Sequence, residues 1–261
     1  MKKKKRWYDY HFVPYLLPVL ILILWQILGE LEIISSTILP TPLAVCEAGI
    51  RLLKNGTLQA NIIVSSKRAL LGFLIGGSIG FTLGLLSGIW GLFESVVDAT
   101  VQMVRTIPHL ALIPLVILWF GIGEGAKIFL VGLGVLFPIY MNTYSGIKSV
   151  DSKLIEMGEV YGLSQLTLFQ HIILPGALPA ILVGIRYALG VMWTSLIVAE
   201  TIGADSGIGF MATSAREFMQ MDIVVLTIVI YAILGKLSDY LARLIEKRLL
   251  NWRVAYFQKS N

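Results

Sequence analysis

Arg105, His109, Arg186, Trp193 and Glu200 are the side chains whose types could do chemistry inside otherwise apolar stretches of this chain. Ionisable groups at membrane depth are expensive, and they face a bundle interior, a partner group or a water-filled path. Arg105, His109 and Arg186 supply positive charge or can take it up. Groups of this kind can line a path through a membrane, and Arg105, His109, Trp193 and Glu200 are the candidate lining of such a path. Each has a plainer alternative: Arg105 can snorkel to the inner interface, His109 can be a satisfied packing residue, and Glu200 can be solvated near the outer surface.

Other chemistries are missing. No G-x-x-x-x-G-K-[ST] loop occurs; Gly235-Lys236 is the sole Gly-Lys pair and Leu237 follows it, so a phosphate loop is not expected on this chain. His11, His109 and His171 are too dispersed for a metal site, and the single cysteine, Cys46, cannot form an intrachain disulfide. The expectation is a conduit with no metal and no cofactor of its own, driven by something else.

The elements that must position these residues follow from composition. Of 261 residues, 56% are hydrophobic and 14% charged, against about a quarter charged in soluble domains. Apolar runs at about 12–28, 69–90, 99–120, 127–147, 180–201 and 223–241 are each long enough to cross a bilayer as a helix. The predicted fold is therefore an all-α polytopic membrane protein with six transmembrane helices. Its parts would be 1–60 (N-terminal tail, first span and outer loop), a five-helix core over 61–250, and a tail over 251–261. The net charge of +5 comes from basic residues at helix ends, namely Lys2 to Arg6, Lys148, Lys153 and the cluster from Lys236 to Lys259. Topology accounts for them without a nucleic-acid partner and places both termini in the cytoplasm. The first run has no small-x-small cleavage site, so it reads as a retained helix rather than a signal peptide.

Gly72, Gly76, Gly80, Gly84 and Gly88 recur at steps of four in the second span. In lipid, a stripe of small residues lets another helix backbone approach closely, so this stripe is expected to face protein. Pro108 and Pro114 interrupt the third span, where neighbours or water must satisfy the carbonyls they free.

The longest largely polar interval between two apolar stretches is 156–179, an amphipathic helix broken near Gly162, with Ser164 placed to cap a second piece. Gly162 at such a turn suits a positive φ or a close backbone approach. Here the residues resemble a family. Glu156, Gly162, Ile172, Leu174 and Pro175 fall at the spacing of the cytoplasmic-loop signature of ABC importer membrane subunits, E-A-A, three residues, G, nine residues, I-x-L-P; Met157 and Gly158 replace the two alanines. Arg105, Ile107 and Pro108, the run Ala111 to Leu115, and Phe120-Gly121-x-Gly123 are similar to further stretches of that family, and the likeness covers roughly residues 60–245.

The resemblance implies a type I importer permease in the bacterial plasma membrane, whose loop at 148–179 docks as a coupling helix on a separate ATPase. It implies two ATP-binding subunits that hold the ATP, an extracellular solute-binding protein and a second copy of this chain, a homodimer in the lipid bilayer. The stretch A-E-T-I-G-A-D-S-G-I-G-F at 199–210 looks most like the branch that carries aliphatic sulfonates, taurine, nitrate or bicarbonate, with thiamine-precursor carriers as relatives. A small anion, aliphatic sulfonate first, is the expected solute. An ion-coupled secondary transporter acting alone is the alternative; it would call for carboxylates in mid-span, whereas Glu94, Asp98, Glu124, Glu200 and Asp239 all lie near the ends of the runs.

Overall fold

The computed structural model describes residues 13–252; the basic stretch Lys2 to Arg6, the aromatics Trp7, Tyr8 and Tyr10, and the tail beyond Trp252 lie outside the described residues. Among the described residues all regular structure is helical: α1 (Val13–Glu30), α2 (Pro42–Lys54), α3 (Thr57–Ile89), α4 (Gly91–Val104), α5 (Ile113–Phe120), α6 (Glu124–Lys148), α7 (Ser152–Val160), α8 (Gln165–Leu168), α9 (Leu174–Thr201), α10 (Ile208–Glu217) and α11 (Met221–Leu249). Four helices are individually long and apolar enough to cross a membrane: α3, α6, α11 and the continuous 37-residue helix Gln165–Thr201. The pair α4 and α5 would make a fifth if taken as one bent span. The expected count of six also needs α1, whose apolar part Leu16–Glu30 is shorter than the others.

Three departures from the sequence reading have local causes. Helix α3 starts at Thr57, a full three turns before the expected span, because nothing between Thr57 and Ala69 breaks a helix; Gly56, with φ 79°, marks its start. The third span is not one helix. Pro108 lacks an N–H and disfavours helical backbone at Ile107, so α4 stops at Val104, a short 3₁₀ turn covers His109–Leu112, and the two halves are bent by 79°. Pro114 is tolerated because it falls in the first turn of α5. Before α9, Pro175 cannot donate to the carbonyl four residues back, and a π-turn over Phe169–Ile173 takes up the slip, with the Leu174 N–H reaching Phe169 O.

The chain forms two compact units. One holds the described chain up to Asn61 together with Met211–Ile230. In it Thr41 caps α2 by accepting from Ala44 N at 3.3 Å, Gln26 Oε1 accepts from Leu43 N at 3.1 Å, and Arg51 pairs with Asp222 at 2.9 Å. The other holds Ile62–Phe210 and the chain from Tyr231 on.

Within this second unit α6 is the most buried long helix, and α3 lies along it by way of the glycine stripe. A Cβ on Gly76 or Gly80 would overlap the carbonyls of Gly132 or Leu136; on Gly72, Gly84 or Gly88 it would come within 2.6 Å of Val131, 2.7 Å of Tyr140 O and 2.8 Å of Ile147. On its other side α6 meets α9, where Gly184 and Gly146 sit against Asn142 and Ala180.

Candidate functional site

The segment between α6 and α9 is built by local rules. Asp151 caps α7 by accepting from Lys153 N at 3.0 Å. At the other end Leu163 N donates to Gly158 O at 3.0 Å and Gly162 N to Glu159 O at 2.9 Å, the paired bonds of a Schellman ending, with Gly162 at φ 72°. Ser164 then caps α8 by accepting from Thr167 N at 3.2 Å.

Gly158, which stands where the signature has alanine, is buried in the angle of this turn. Its missing Cβ leaves room for Ile172 Cδ1 at 2.9 Å, Leu168 Cδ1 at 3.2 Å and Leu163 Cδ1 at 3.3 Å. Ile173 and Leu174 pack with Val150 on the cluster Ile147, Ala177 and Ile181, so the foot of the segment is seated on both flanking helices. Its open side carries large apolar residues among charged ones: Val160 is 87% and Tyr161 78% exposed, and Leu154, Met157 and Leu166 are exposed, as are Lys153 and Glu159. Glu156 is exposed on α7.

The four candidate path residues do not converge on one point. Arg105 lies exposed at the break after α4. His109 Nε2 is 2.8 Å from Ser195 Oγ on α9, which pins the 3₁₀ turn across the core. Gly134 of α6 makes room for that pair, since a Cβ there would come within 2.6 Å of Ser195 Oγ and 3.0 Å of His109 Nε2. Trp193 and Glu200 share a neighbour: Tyr231 packs edge-on to Trp193 at 6.2 Å and donates its hydroxyl to Glu200 Oε2 at 3.1 Å, while Trp193 Nε1 donates to Ser238 Oγ at 2.9 Å.

Glu200 is the centre of a buried polar cluster, not the solvated end group that the sequence left as an even alternative. It is 1% exposed and Arg68 is 2% exposed. Arg68 Nη1 donates to Glu200 Oε1 at 2.8 Å, Ser65 Oγ lies 2.8 Å from both carboxylate oxygens, and Gly209 N donates to Oε2 at 2.9 Å. Arg68 also binds Glu124 through both of its oxygens, and donates to Ser206 O at 2.6 Å. Lys127 lies 3.6 Å from Glu124, so two cations face two carboxylates. The Glu124 side chain is 56% exposed, so the cluster reaches the surface there, whereas burying Arg68 and Glu200 is tolerable only with pairing this complete. The glycines of the 199–210 stretch make it possible: Gly207 has φ 108°, and a Cβ on it would run into the Glu200 carboxylate. The sequence does not single out Ser65, Arg68 or Tyr231, and it marks Glu124 only as one of the acids near the ends of the apolar runs. The available signal was Arg68 immediately before an apolar run, where a solvated helix end reads the same way.

Residues 80–251 match the family described as "Binding-protein-dependent transport system inner membrane component". The chain is 54% identical over 249 residues to the Escherichia coli K12 protein named as an aliphatic sulfonates transport permease, SsuC, covering 95% of this chain and 94% of that one. It is 45% identical to the Bacillus subtilis 168 protein of the same name, covering 92% of this chain and 87% of the relative. To the taurine transport system permease protein TauC of Escherichia coli K12 it is 35% identical, covering 89% and 86%. Among solved structures, the crystal structure of an amino acid ABC transporter with histidines shares the fold, with a TM-score of 0.63 at 18% identity over 76% of this chain and 96% of that one.

Proposed function

Because the chain belongs to the family of binding-protein-dependent transport system inner membrane components, we propose that it is the permease subunit of an ATP-driven importer that brings aliphatic sulfonates into the cell. The observation that carries this reading is the α7 segment. It is a capped element between two spans, seated at its foot on both, and it leaves the large apolar residues Val160, Tyr161 and Leu166 exposed. Exposed apolar residues of this kind mark a surface that meets a protein or a membrane, and their place in the signature segment favours a protein. Its partner in this reading is an ATPase subunit, one per permease copy in a homodimer, with Glu156, Gly162, Ile172, Leu174 and Pro175 shaping the contact.

ATP is held by those partners and not by this chain. Both termini and the α7 segment face the cytoplasm, and a solute-binding protein delivers the solute from outside. The choice of aliphatic sulfonate follows the named function of the relatives that are 54% and 45% identical over nearly the whole chain, against 35% for the taurine relative. Arg105, His109, Trp193 and Glu200 remain the proposed surroundings of the path. A carrier acting alone by proton exchange is disfavoured by Glu200 itself, since its carboxylate is tied to Arg68, Ser65, Gly209 and Tyr231.

The test is uptake of radiolabelled ethanesulfonate into proteoliposomes holding the permease, its ATPase and its binding protein. ATP-dependent uptake that excess taurine, nitrate, bicarbonate or a thiamine precursor fails to suppress supports the assignment; suppression by one of these reassigns the solute.

A further inference from the structure

The two halves of the broken span are held in physically different ways. Helix α5 is locked by apolar packing: Ile113 and Val116 are buried against Ala126, Leu130 and Ala199, and the turn before it is pinned by His109 to Ser195. Helix α4 has a single buried residue, Val101. What joins α4 to α6 is a set of polar rungs: Glu94 and Asp98, four residues apart on α4, meet Tyr144 and Tyr140, four residues apart in the opposite direction on α6, and Gln102 adds a contact beside Tyr140, at Met141. Glu94 accepts from Tyr144 Oη and Lys148 Nζ, both at 2.6 Å. Asp98 accepts from Tyr140 Oη at 2.9 Å, and Gln102 Nε2 lies 3.4 Å from Met141 Sδ. The rings of Tyr140 and Tyr144 stack at 6.1 Å, so the rungs on α6 form one continuous face.

This set of rungs ends where the α7 segment begins. Lys148 is the last residue of α6, and its neighbour Ile147 is buried in the cluster that seats Val150, Ile173 and Leu174 at the foot of that segment. At its other end α4 runs directly into the break, Arg105 to Pro108. Interdigitated apolar contacts are close-packed and resist sliding, whereas rungs made by flexible side chains can be exchanged as helices shift past one another.

We propose that α4 is the moving half of the broken span, and that Glu94 and Asp98 are positioning residues that carry movement of the α7 segment, through Lys148, Tyr144 and Tyr140, to the break at Arg105 to Pro108. This rests on the importer reading, and it adds to that reading which helix moves and what pulls it.

The experiment uses the assembled transporter in proteoliposomes and reads solute uptake and ATP hydrolysis together. In a Cys46→Ser background, Gln102→Cys with Met141→Cys allows α4 and α6 to be joined by a short bis-methanethiosulfonate reagent; because Gln102 also donates to Asp98 Oδ1 at 3.3 Å, the unjoined double-cysteine protein is the reference for uptake. Joining them is expected to reduce uptake about tenfold or more, and a thiol reductant to restore it, as for any blocked conformational step. Separately, Glu94→Gln and Asp98→Asn are each expected to raise the ATP consumed per solute several-fold, and the charge exchange Glu94→Lys with Lys148→Glu to bring the ratio back. Undiminished uptake by the joined protein, or an unchanged ATP-to-solute ratio in both single variants, overturns the proposal. If the unmodified transporter shows no ATP-dependent uptake at all, the importer reading itself fails, and this one with it.

Discussion

Ile172 rests in the hollow left by the absent side chain of Gly158, with its Cδ1 2.9 Å from where a Cβ would stand. Two positions of one sequence signature thus pack on each other across the turn at Gly162. The three atoms nearest that hollow are all tips of flexible side chains, so Gly158→Ala is expected to retain uptake. Gly158→Leu overfills the turn, at about 1–3 kcal/mol, and should lower both ATP-dependent uptake and the melting temperature of the purified protein.

Gly162 has open space around it but a φ of 72°. The strain of a substitution there is therefore in the backbone, about 1–2 kcal/mol for a residue with a Cβ. Gly162→Asn should keep most of the uptake, whereas Gly162→Val and Gly162→Trp should insert normally and lose coupling between ATP hydrolysis and uptake. Full uptake by Gly162→Trp would remove the α7 segment from the coupling role.

Removing one member of the Arg68 and Glu200 pair strands the other in a buried site, at about 3–5 kcal/mol. Arg68→Met and Glu200→Leu should each lower the thermal midpoint in detergent sharply, and the double variant should be less destabilised than the sum of the two. Strictly additive losses would mean that the pair is not coupled.

The glycines differ in a way that stability measurements can read. Gly76→Ala drives a methyl group into the Gly132 carbonyl, and backbone cannot step aside; Gly190→Ala, with nothing within 4 Å, meets no obstacle. Loss of folded protein is expected for the first, while the second should be neutral or more stable by about 0.5–1 kcal/mol.

His109→Leu removes the polar bond to Ser195 without changing helix content. The proposed path predicts a changed KM or maximal rate for sulfonate uptake. Unchanged kinetics would leave His109 as a packing residue only.

The α7 segment was the most legible part of the chain, because its devices are local: a cap at Ser164, a left-handed turn at Gly162, and apolar residues at helical spacing on either side of them. The break at Arg105 to Pro108 was legible only as a pair of prolines, since a proline inside a span can leave a helix nearly straight or fold it sharply, and neighbours decide which. The Arg68 and Glu200 pair was not legible. The two residues are 132 positions apart in the chain, and each sits near the end of an apolar run, where burial in a cluster and exposure to water read alike. The count of spans suffered from the same limit, because whether α4 and α5 act as one crossing depends on packing and not on composition.

In the proposed assembly the exposed apolar residues of α7 dock a separate ATPase. This is tested most directly by purifying tagged protein from its native membranes, unmodified and with Val160→Glu and Tyr161→Glu, and identifying what comes with it. A subunit with a phosphate loop is expected to accompany the unmodified chain and to be lost from the substituted one, which still inserts and folds. Recovery of the unmodified chain alone, with solute uptake into vesicles that proceeds without ATP, would contradict it.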